Sequence, residues 1–276
     1  LMNVPMVQHV RITNVIPFRD ASTIANHFVT VSEFVRSQLA KIDVDPKRLR
    51  VVYDGIDIER FRNDAFNKDE IRKELGISTQ AKVILMIARL TEYKRHDLLL
   101  RAASIVRNLI PSLRILLVGE SFSEVRYSDQ VKRLVEQLRL DDVVTFLPFQ
   151  EDIRKVEMAA DVQVLCSDGD ALGTCILESM ALEVPVVVTD SGGLREIVED
   201  GVSGFVVPSG DEQLLADRLL QLLSDDELCH SLGKAARRRI LTCATAEVCA
   251  HQVMEIYEAI ICENSRRDSW QSVKRF

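Results

Sequence analysis

The chain has 276 residues, of which 47% are hydrophobic, enough for a well-buried core of one large or two smaller domains and too many for general disorder. Its formal net charge of −7 argues against nucleic acid as the main partner, because phosphate binding needs a basic footprint. In chain order, Met6–Arg11 reads as a strand, and Phe28–Val31 as a second. Ser32 then caps a helix to about Lys41, and Leu49–Tyr53 is a third strand that stops at Asp54-Gly55. Ile56–Asn67 is polar and connective. A second series starts with Lys82–Ala88, "KVILMIA", apolar throughout as a strand buried on both faces should be. A helix over Asp97–Asn108, a strand over Leu113–Val118 ending at Gly119, a helix over Gln130–Leu138 and a strand over Val143–Phe146 follow. Next come a helix over Asp152–Ala159, a strand over Val162–Leu165, a helix over Thr174–Leu182 and a strand over Val186–Thr189. A short helix over Leu194–Val198, a strand over Gly204–Val207 and a helix over Asp211–Leu223 complete the alternation, and the text is helical from there to about Cys262. Regular alternation of strand and helix implies α/β parallel sheets wrapped by helices, with about six strands in the second series and about three in the first. Three strands are too few for a doubly wound domain, so the first series reads as the end of an incomplete neighbour.

Three segments carry chemistry. The densest is Ser167–Glu178, "SDGDALGTCILE", where a strand ends, a loop follows and a helix opens near Gly173-Thr174. Open parallel sheets bind ligands at the carboxyl ends of their strands. A helix N-terminus favours phosphate through its free N–H groups and its dipole. Glu178 falls about one turn into that helix, where a carboxylate can accept from a ribose diol, and Asp170 in the loop can accept from sugar hydroxyls. The second segment is "ARLTEYKRHD", in which Arg89 and Lys94 stand just past a buried strand. Two cations there can neutralise a diphosphate leaving group; taken alone, they also fit two solvated loop charges. The third is Pro185–Pro208, where a strand ends at Thr189 and Gly192-Gly193 turn into a helix at Leu194; alone, this is ordinary turn chemistry.

In this order and spacing the three segments resemble the C-terminal domain of family 4 retaining glycosyltransferases, which include bacterial sugar and mannosyl transferases and sucrose synthases. "HFVTVSEFVRSQL" and "VVYDGIDIERF" are similar to the family's end of domain one and its linker. The resemblance implies a GT-B fold with a Rossmann-like parallel sheet and helices on both faces. It implies a remnant of the N-terminal acceptor-side domain over 1–60, a donor-binding domain over 61–250 and a C-terminal helix and tail over 251–276. The donor would be a nucleotide-diphosphate-sugar, a UDP-sugar or GDP-mannose. Arg89 and Lys94 would hold its diphosphate; Asp170 and the backbone of Ala171, Leu172, Gly173 and Thr174 would hold the sugar and phosphate; Glu178 would hold the ribose. Gly192, Gly193 and Glu196 match the family's Gly-Gly and following acidic position, with the role of Glu196 less defined. The family often places a catalytic-site histidine near Pro5–Arg11: Arg11 stands at that spacing and His9 two residues earlier, and a strand histidine packed in the core is the alternative reading of His9. Cations and a helix N-terminus do the work of a metal, so no metal or cofactor is expected. The sequence departs from the pattern at Asp170, usually Glu; at Ala171-Leu172-Gly173, usually Gly-Phe-Gly; at Arg95, usually Gly; and at Ala88, usually Gly.

The expected activity is transfer of a hexose to an acceptor hydroxyl, in polysaccharide or glycolipid biosynthesis, with the acceptor a sugar or a lipid-linked sugar. Three rivals stay open. Asp168-Gly169-Asp170 is an Asp-x-Asp, which could hold a divalent metal. A GT-B nucleotide-sugar epimerase would use the same donor site. A non-catalytic nucleotide-sugar-binding module, or a fragment awaiting its N-terminal half or a partner chain, would fit the short first series. The six cysteines, Cys166, Cys175, Cys229, Cys243, Cys249 and Cys262, form no Cys-x-x-Cys pair and read as reduced thiols of a cytoplasmic protein. No apolar run approaches the ~20 residues that span a bilayer. The basic tail after Cys262, with Arg36, Lys41, Lys47, Arg48 and Arg50, suggests peripheral contact with an anionic inner-membrane surface, ordinary solvated charge being the alternative. In the family the last helix crosses back to domain one, a packing expected here of Tyr257, Ile260 and Ile261.

Overall fold

The computed structural model describes residues 5–15, 25–63, 66–121 and 125–273, with side chains as far as residue 263. The charged tail expected at a membrane surface therefore lies mostly outside the described side chains. Three short strands, β1 (Val7–Val10), β2 (His27–Thr30) and β3 (Leu49–Val51), form a parallel sheet in the order β1-β2-β3. Between β2 and β3 runs α1 (Glu33–Ala40), whose Ser32 cap accepts from Val35 N–H at 3.1 Å. The helix starts where Ser32 is extended and can answer an orphan N–H.

The second series opens with α2 (Lys68–Glu74), a helix that the sequence reading leaves unassigned. Its strands are β4 (Lys82–Ile87), β5 (Leu113–Val118), β6 (Val144–Leu147), β7 (Val162–Leu165), β8 (Val186–Thr189) and β9 (Phe205–Val207). They form one parallel sheet in the order β6-β5-β4-β7-β8-β9. The helices between them are α3 (His96–Arg107), α4 (Val125–Gln137), α5 (Arg154–Ala159), α6 (Thr174–Ala181), α7 (Leu194–Ile197) and α8 (Glu212–Ser224). The expected α/β class, parallel sheets flanked by helices, is what the chain adopts. Strands β4, β5, β7 and β8 are buried on both faces, which explains their unbroken apolar text.

Strand order reverses between β4 and β7, so the crevice at their carboxyl ends is the sheet's topological switch point. Those two strands pair only at Ile84–Val162 and Leu85–Gln163. Beyond this short ladder α6 closes the gap: Gln163 Nε2 donates to Cys175 O at 3.1 Å and Cys175 Sγ to Ile87 O at 3.4 Å.

After the second sheet come α9 (Asp226–Cys243) and α10 (Ala246–Val273). The helical text there is broken twice, by Asp225, which caps α9 through Leu228 N–H, and at Ala244-Thr245. At that second break Ile56 N–H donates to Ala244 O at 2.8 Å and Ala246 N–H to Ile56 O at 2.9 Å. The outgoing and returning connections between the sheets thus run side by side. α10 then reaches the first sheet, where Tyr257 Oη lies 2.8 Å from His9 Nε2. Ile260 is buried and Ile261 is exposed, so of the three residues expected to pack there Tyr257 and Ile260 do so or are covered and Ile261 faces water. No described helix is long and apolar enough to cross a membrane.

Candidate functional site

The loops after β4 and β7 meet at the switch point. After β4 the chain turns through a single 3-10 turn, Glu92–Lys94, and Arg95 then starts α3 in a left-handed conformation, φ 53°. That conformation favours glycine, which is the residue the resembling family has there. Arg95 is held by its side chain instead, with Nε 3.0 Å from Asp97 and a terminal nitrogen 3.1 Å from Asp168. After β7, Gly169 and Gly173 take positive φ of 78° and 82°, bending the loop so that α6 begins at Thr174 with no side-chain cap.

The two loops are stitched together. Asp168 N–H donates to Tyr93 O at 2.7 Å, and Lys94 Nζ is paired with Asp170, both side chains being largely buried. Burial alone would lower the Lys94 pKa, but the Asp170 carboxylate outweighs it and the net movement is upward, so Lys94 is a fixed cation. Asp168 and Asp170 thus answer two different cations, Arg95 and Lys94. Among the described residues no cluster of three or more His, Cys, Asp or Glu side chains is gathered for a metal.

The loop after β8 supports this assembly from behind. Gly169 N–H donates to Ser191 Oγ at 2.7 Å and Gly193 N–H to Asp170 O at 2.8 Å. A Cβ on Gly192 would lie 2.2 Å from Asp170 O, and one on Gly193 2.2 Å from Ala171 O. The Gly-Gly pair is therefore a contact surface between loops, a stronger constraint than turn geometry alone.

Two cavities flank Arg89. The first, about 560 Å³, is walled by Arg89, Lys94 and Asp170 through Cys175 from the second sheet, and by Arg11–Asn14, Val31 and Asp54 from the first. The second, about 340 Å³, is walled by Arg89, Glu178, Arg60, Gly119, Glu120 and Phe149 through Glu151, with Ile153 below. Burial pushes the Glu178 carboxyl up to about 7, against the pull of Arg60. Behind it Glu157 is fully buried, and burial first and the Glu178 charge next push its carboxyl well above the usual carboxylate range; one oxygen accepts from Ser179 Oγ at 3.0 Å. A larger cavity of about 830 Å³ lies alongside, between α3 and α4. Tyr93, Arg95 and Asp168 of the loops after β4 and β7 reach its edge, but none of the residues expected to hold the donor lines it.

Of the expected residues, the structure gathers Arg89, Lys94, Asp170, Ala171, Leu172, Gly173 and Thr174 around the first cavity and puts Glu178 on the second. Gly192, Gly193 and Glu196 line neither. His9 is not brought to the site: it is exposed on β1, against Tyr257. The strand's carboxyl end carries Arg11 to the cavity, 3.0 Å from Asp54. Sequence reasoning missed Asp54, Arg60, Phe149 and Gln150. The segment after β6, "PFQED", follows a strand's carboxyl end directly, and that position was the available signal.

The second series matches the family described as "Glycosyl transferases group 1" over residues 67–239, more than half of the chain. Curated relatives include a "Putative glycosyltransferase EpsD" of Bacillus subtilis (strain 168), 33% identical over 216 residues, covering 78% of this chain and 55% of that protein. Another is a "D-inositol 3-phosphate glycosyltransferase" of Saccharomonospora viridis, 34% identical over 221 residues, covering 77% of this chain and 51% of that protein. The chain thus spans about half the length of the curated relatives it matches. Among solved structures, Anabaena Alr3699/HepE in complex with UDP and glucose superposes with a TM-score of 0.84 at 23% identity, covering 92% of this chain and 71% of that one. The C-terminal domain of a group 1 glycosyl transferase (LpcC) from Francisella tularensis superposes with a TM-score of 0.62 at 24% identity, covering 68% of this chain and 97% of that one. At these identities the two structures speak for the fold, and the family match over residues 67–239 carries the assignment: the chain belongs to the group 1 glycosyl transferases.

Proposed function

We propose that this chain is the donor-binding part of a family 4 retaining glycosyltransferase, which moves a hexose from a nucleotide-diphosphate-sugar to an acceptor hydroxyl. The observation that carries the reading is Arg89, which walls two cavities at the switch point: one lined by the cation Lys94 and the start of α6, the other by the carboxylate Glu178. The diphosphate sits on the first turn of α6 between Arg89 and Lys94, where N–H groups, helix dipole and two cations favour it. The ribose hydroxyls donate to Glu178, and the base lies in the smaller cavity beside Phe149. The sugar occupies the first cavity, with Asp170 accepting from its hydroxyls.

As the sugar–phosphate bond breaks, negative charge grows on the leaving diphosphate, and Arg89 and Lys94 are already in place to stabilise it. Lys94 then serves the phosphate while Asp170 turns to the sugar. The acceptor hydroxyl enters from the face that the diphosphate leaves, so the anomeric configuration is retained. No residue of the described site is required to hold a metal in this scheme. The acceptor is a sugar or lipid-linked hydroxyl of surface polysaccharide or glycolipid synthesis. A structural neighbour named as a complex with UDP and glucose supports the donor class.

The test is calorimetric titration with UDP, GDP, UDP-GlcNAc and GDP-mannose on the parent chain, Lys94→Ala and Glu178→Ala. One base binds, and each substitution weakens it by about 1.5–3 kcal/mol, the cost of a lost charge-assisted hydrogen bond. Equal affinity in both variants overturns the site assignment. Release of an altered free sugar without acceptor would mark an epimerase instead.

A further inference from the structure

The first N–H groups of a helix have no partner within it. At α1, Ser32 answers only Val35 N–H. The two before it are answered by a carboxylate from the other sheet: Glu33 N–H donates to Glu196 Oε2 and Phe34 N–H to Glu196 Oε1, both at 2.8 Å. Both oxygens thus meet the positive end of the α1 dipole. Tyr53, just past β3, faces the same group, and its hydroxyl is raised above the usual range by burial and then by the Glu196 charge. Arg239 on α9 fixes the backbone beneath by donating to Glu196 O at 3.1 Å.

The packing around this contact is close. A Cβ on Gly193 would fall 2.9 Å from Ser32 Cβ, and one on Gly169 would meet Phe34 Cζ at 3.8 Å. The first turn of α1 therefore leans on the loop after β7, which carries Asp170 and Ala171–Gly173, and on the Gly193 turn after β8 that supports it. The first sheet in turn supplies Arg11–Asn14 and Asp54 to the far wall of the first cavity. The width of that cavity is set wherever the two sheets are joined.

We propose that Glu196 is a positioning residue: it caps α1 from the opposite sheet and so holds Arg11 and Asp54 across the cavity from Lys94 and Asp170, while touching no part of the nucleotide. This role rests on the donor-site reading above for its function, but the brace itself is a property of the protein alone. It also gives the acidic residue after Gly-Gly a task that neither cavity assigns it. Glutamine at this position keeps one acceptor oxygen and loses the charge; alanine loses both.

The experiment is amide hydrogen exchange on the parent, Glu196→Gln and Glu196→Ala, with circular dichroism to confirm folding and a parallel UDP titration. The expected result is exchange at Glu33 and Phe34 at least about tenfold faster in Glu196→Ala, the loss expected of a charged acceptor. Glu196→Gln lies between the two, a partial rescue. UDP affinity stays within about twofold of the parent in both variants, because the nucleotide lies wholly on the second sheet. Unchanged exchange at both amides in the variants overturns the brace. A loss of UDP affinity with unchanged exchange overturns it too, and returns Glu196 to the nucleotide. If Glu196→Ala does not fold, Glu196→Gln decides by the same two readings. A parent that binds no UDP counts against the donor reading alone, and the exchange rates still decide the brace.

Discussion

Replacing Glu178 with Gln isolates the cost of keeping a carboxylate on the wall of the smaller cavity. Burial lifts that group from an ordinary 4.5 to about 7. A group that binds its proton more tightly folded than unfolded stabilises the fold while protonated. Its contribution is complete below pH 4.5 and is lost as the pH rises through 7. The interval corresponds to about 3 kcal/mol at 1.36 kcal/mol for each tenfold change, an upper bound because the half-buried carboxylate retains some water. Glu178→Gln imitates the protonated acid without titrating. It therefore matches the parent below pH 4.5 and exceeds it by up to about 3 kcal/mol above pH 7. Urea unfolding of both proteins from pH 4 to pH 8.5, followed by circular dichroism, reads this difference. Glu157 is present in both proteins, but the Glu178 charge raises its carboxyl, so losing that charge relieves Glu157 as well and moves the difference in the same direction. A difference that is flat across the range, or a variant less stable than the parent at pH 8, refutes the argument, since either would mean that the carboxylate is not paying a burial cost. On the proposed reading, in which the ribose of UDP donates to this group, it must ionise on binding, so parent affinity should climb between pH 6 and 8 while that of the variant stays level.

Substitutions at three other positions probe the frame. Asp161 accepts from Lys68 at 2.7 Å, Arg72 at 2.8 Å and Val83 N–H at 2.7 Å. Asp161→Ala strands the buried Arg72 guanidinium and should cost about 3–5 kcal/mol, read as a shift in the urea midpoint at constant slope. Arg95→Gly relieves a left-handed backbone worth about 1 kcal/mol while losing two half-exposed ion pairs of similar total value. It should melt within a few degrees of the parent, whereas Arg95→Ala keeps the strain, loses the pairs and melts lower; the reverse order would mean that the side chain alone matters. Gly193→Ala drives a methyl toward Ala171 O and Ser32 and should destabilise by about 1–3 kcal/mol or more, with calorimetry as the measure.

The parallel sheet was legible because strands buried on both faces write continuous apolar text, as β4 does with "KVILMI". α2 was not, because it buries only Ile71 and Arg72 and offers no apolar stripe; its one local sign is Asn67, which caps Asp69 and Glu70 N–H. Asp170 drew notice beside Gly169 and before a helix start, whereas Arg89 and Lys94 alone also fit solvated loop charges and were singled out by the family resemblance. Phe149 follows β6 directly and offered that one sign, but Arg60 reaches the Glu178 cavity from the linker and no spacing links it to the rest. Arg11 was placed by spacing, but its partner Asp54 was not. The partners of Glu196 were invisible for a simpler reason: they are backbone N–H groups, which every residue but proline has. The left-handed turn at Arg95 is hidden in the same way, because only the folded chain shows what Asp97 and Asp168 hold in place.

The paired connections at Ile56 and Thr245 have a consequence for how this architecture can be rearranged. Everything from the linker to the end of α9 leaves and returns at one hydrogen-bonded bridge, so in connectivity the six-stranded sheet is a loop inserted between β3 and α10. An insert whose ends already touch can be excised, transplanted into another host or circularly permuted by a short splice, with little loop entropy to overcome. The six-stranded half of such a protein is thus built as an exchangeable cassette, while α10 and the first sheet remain with the host.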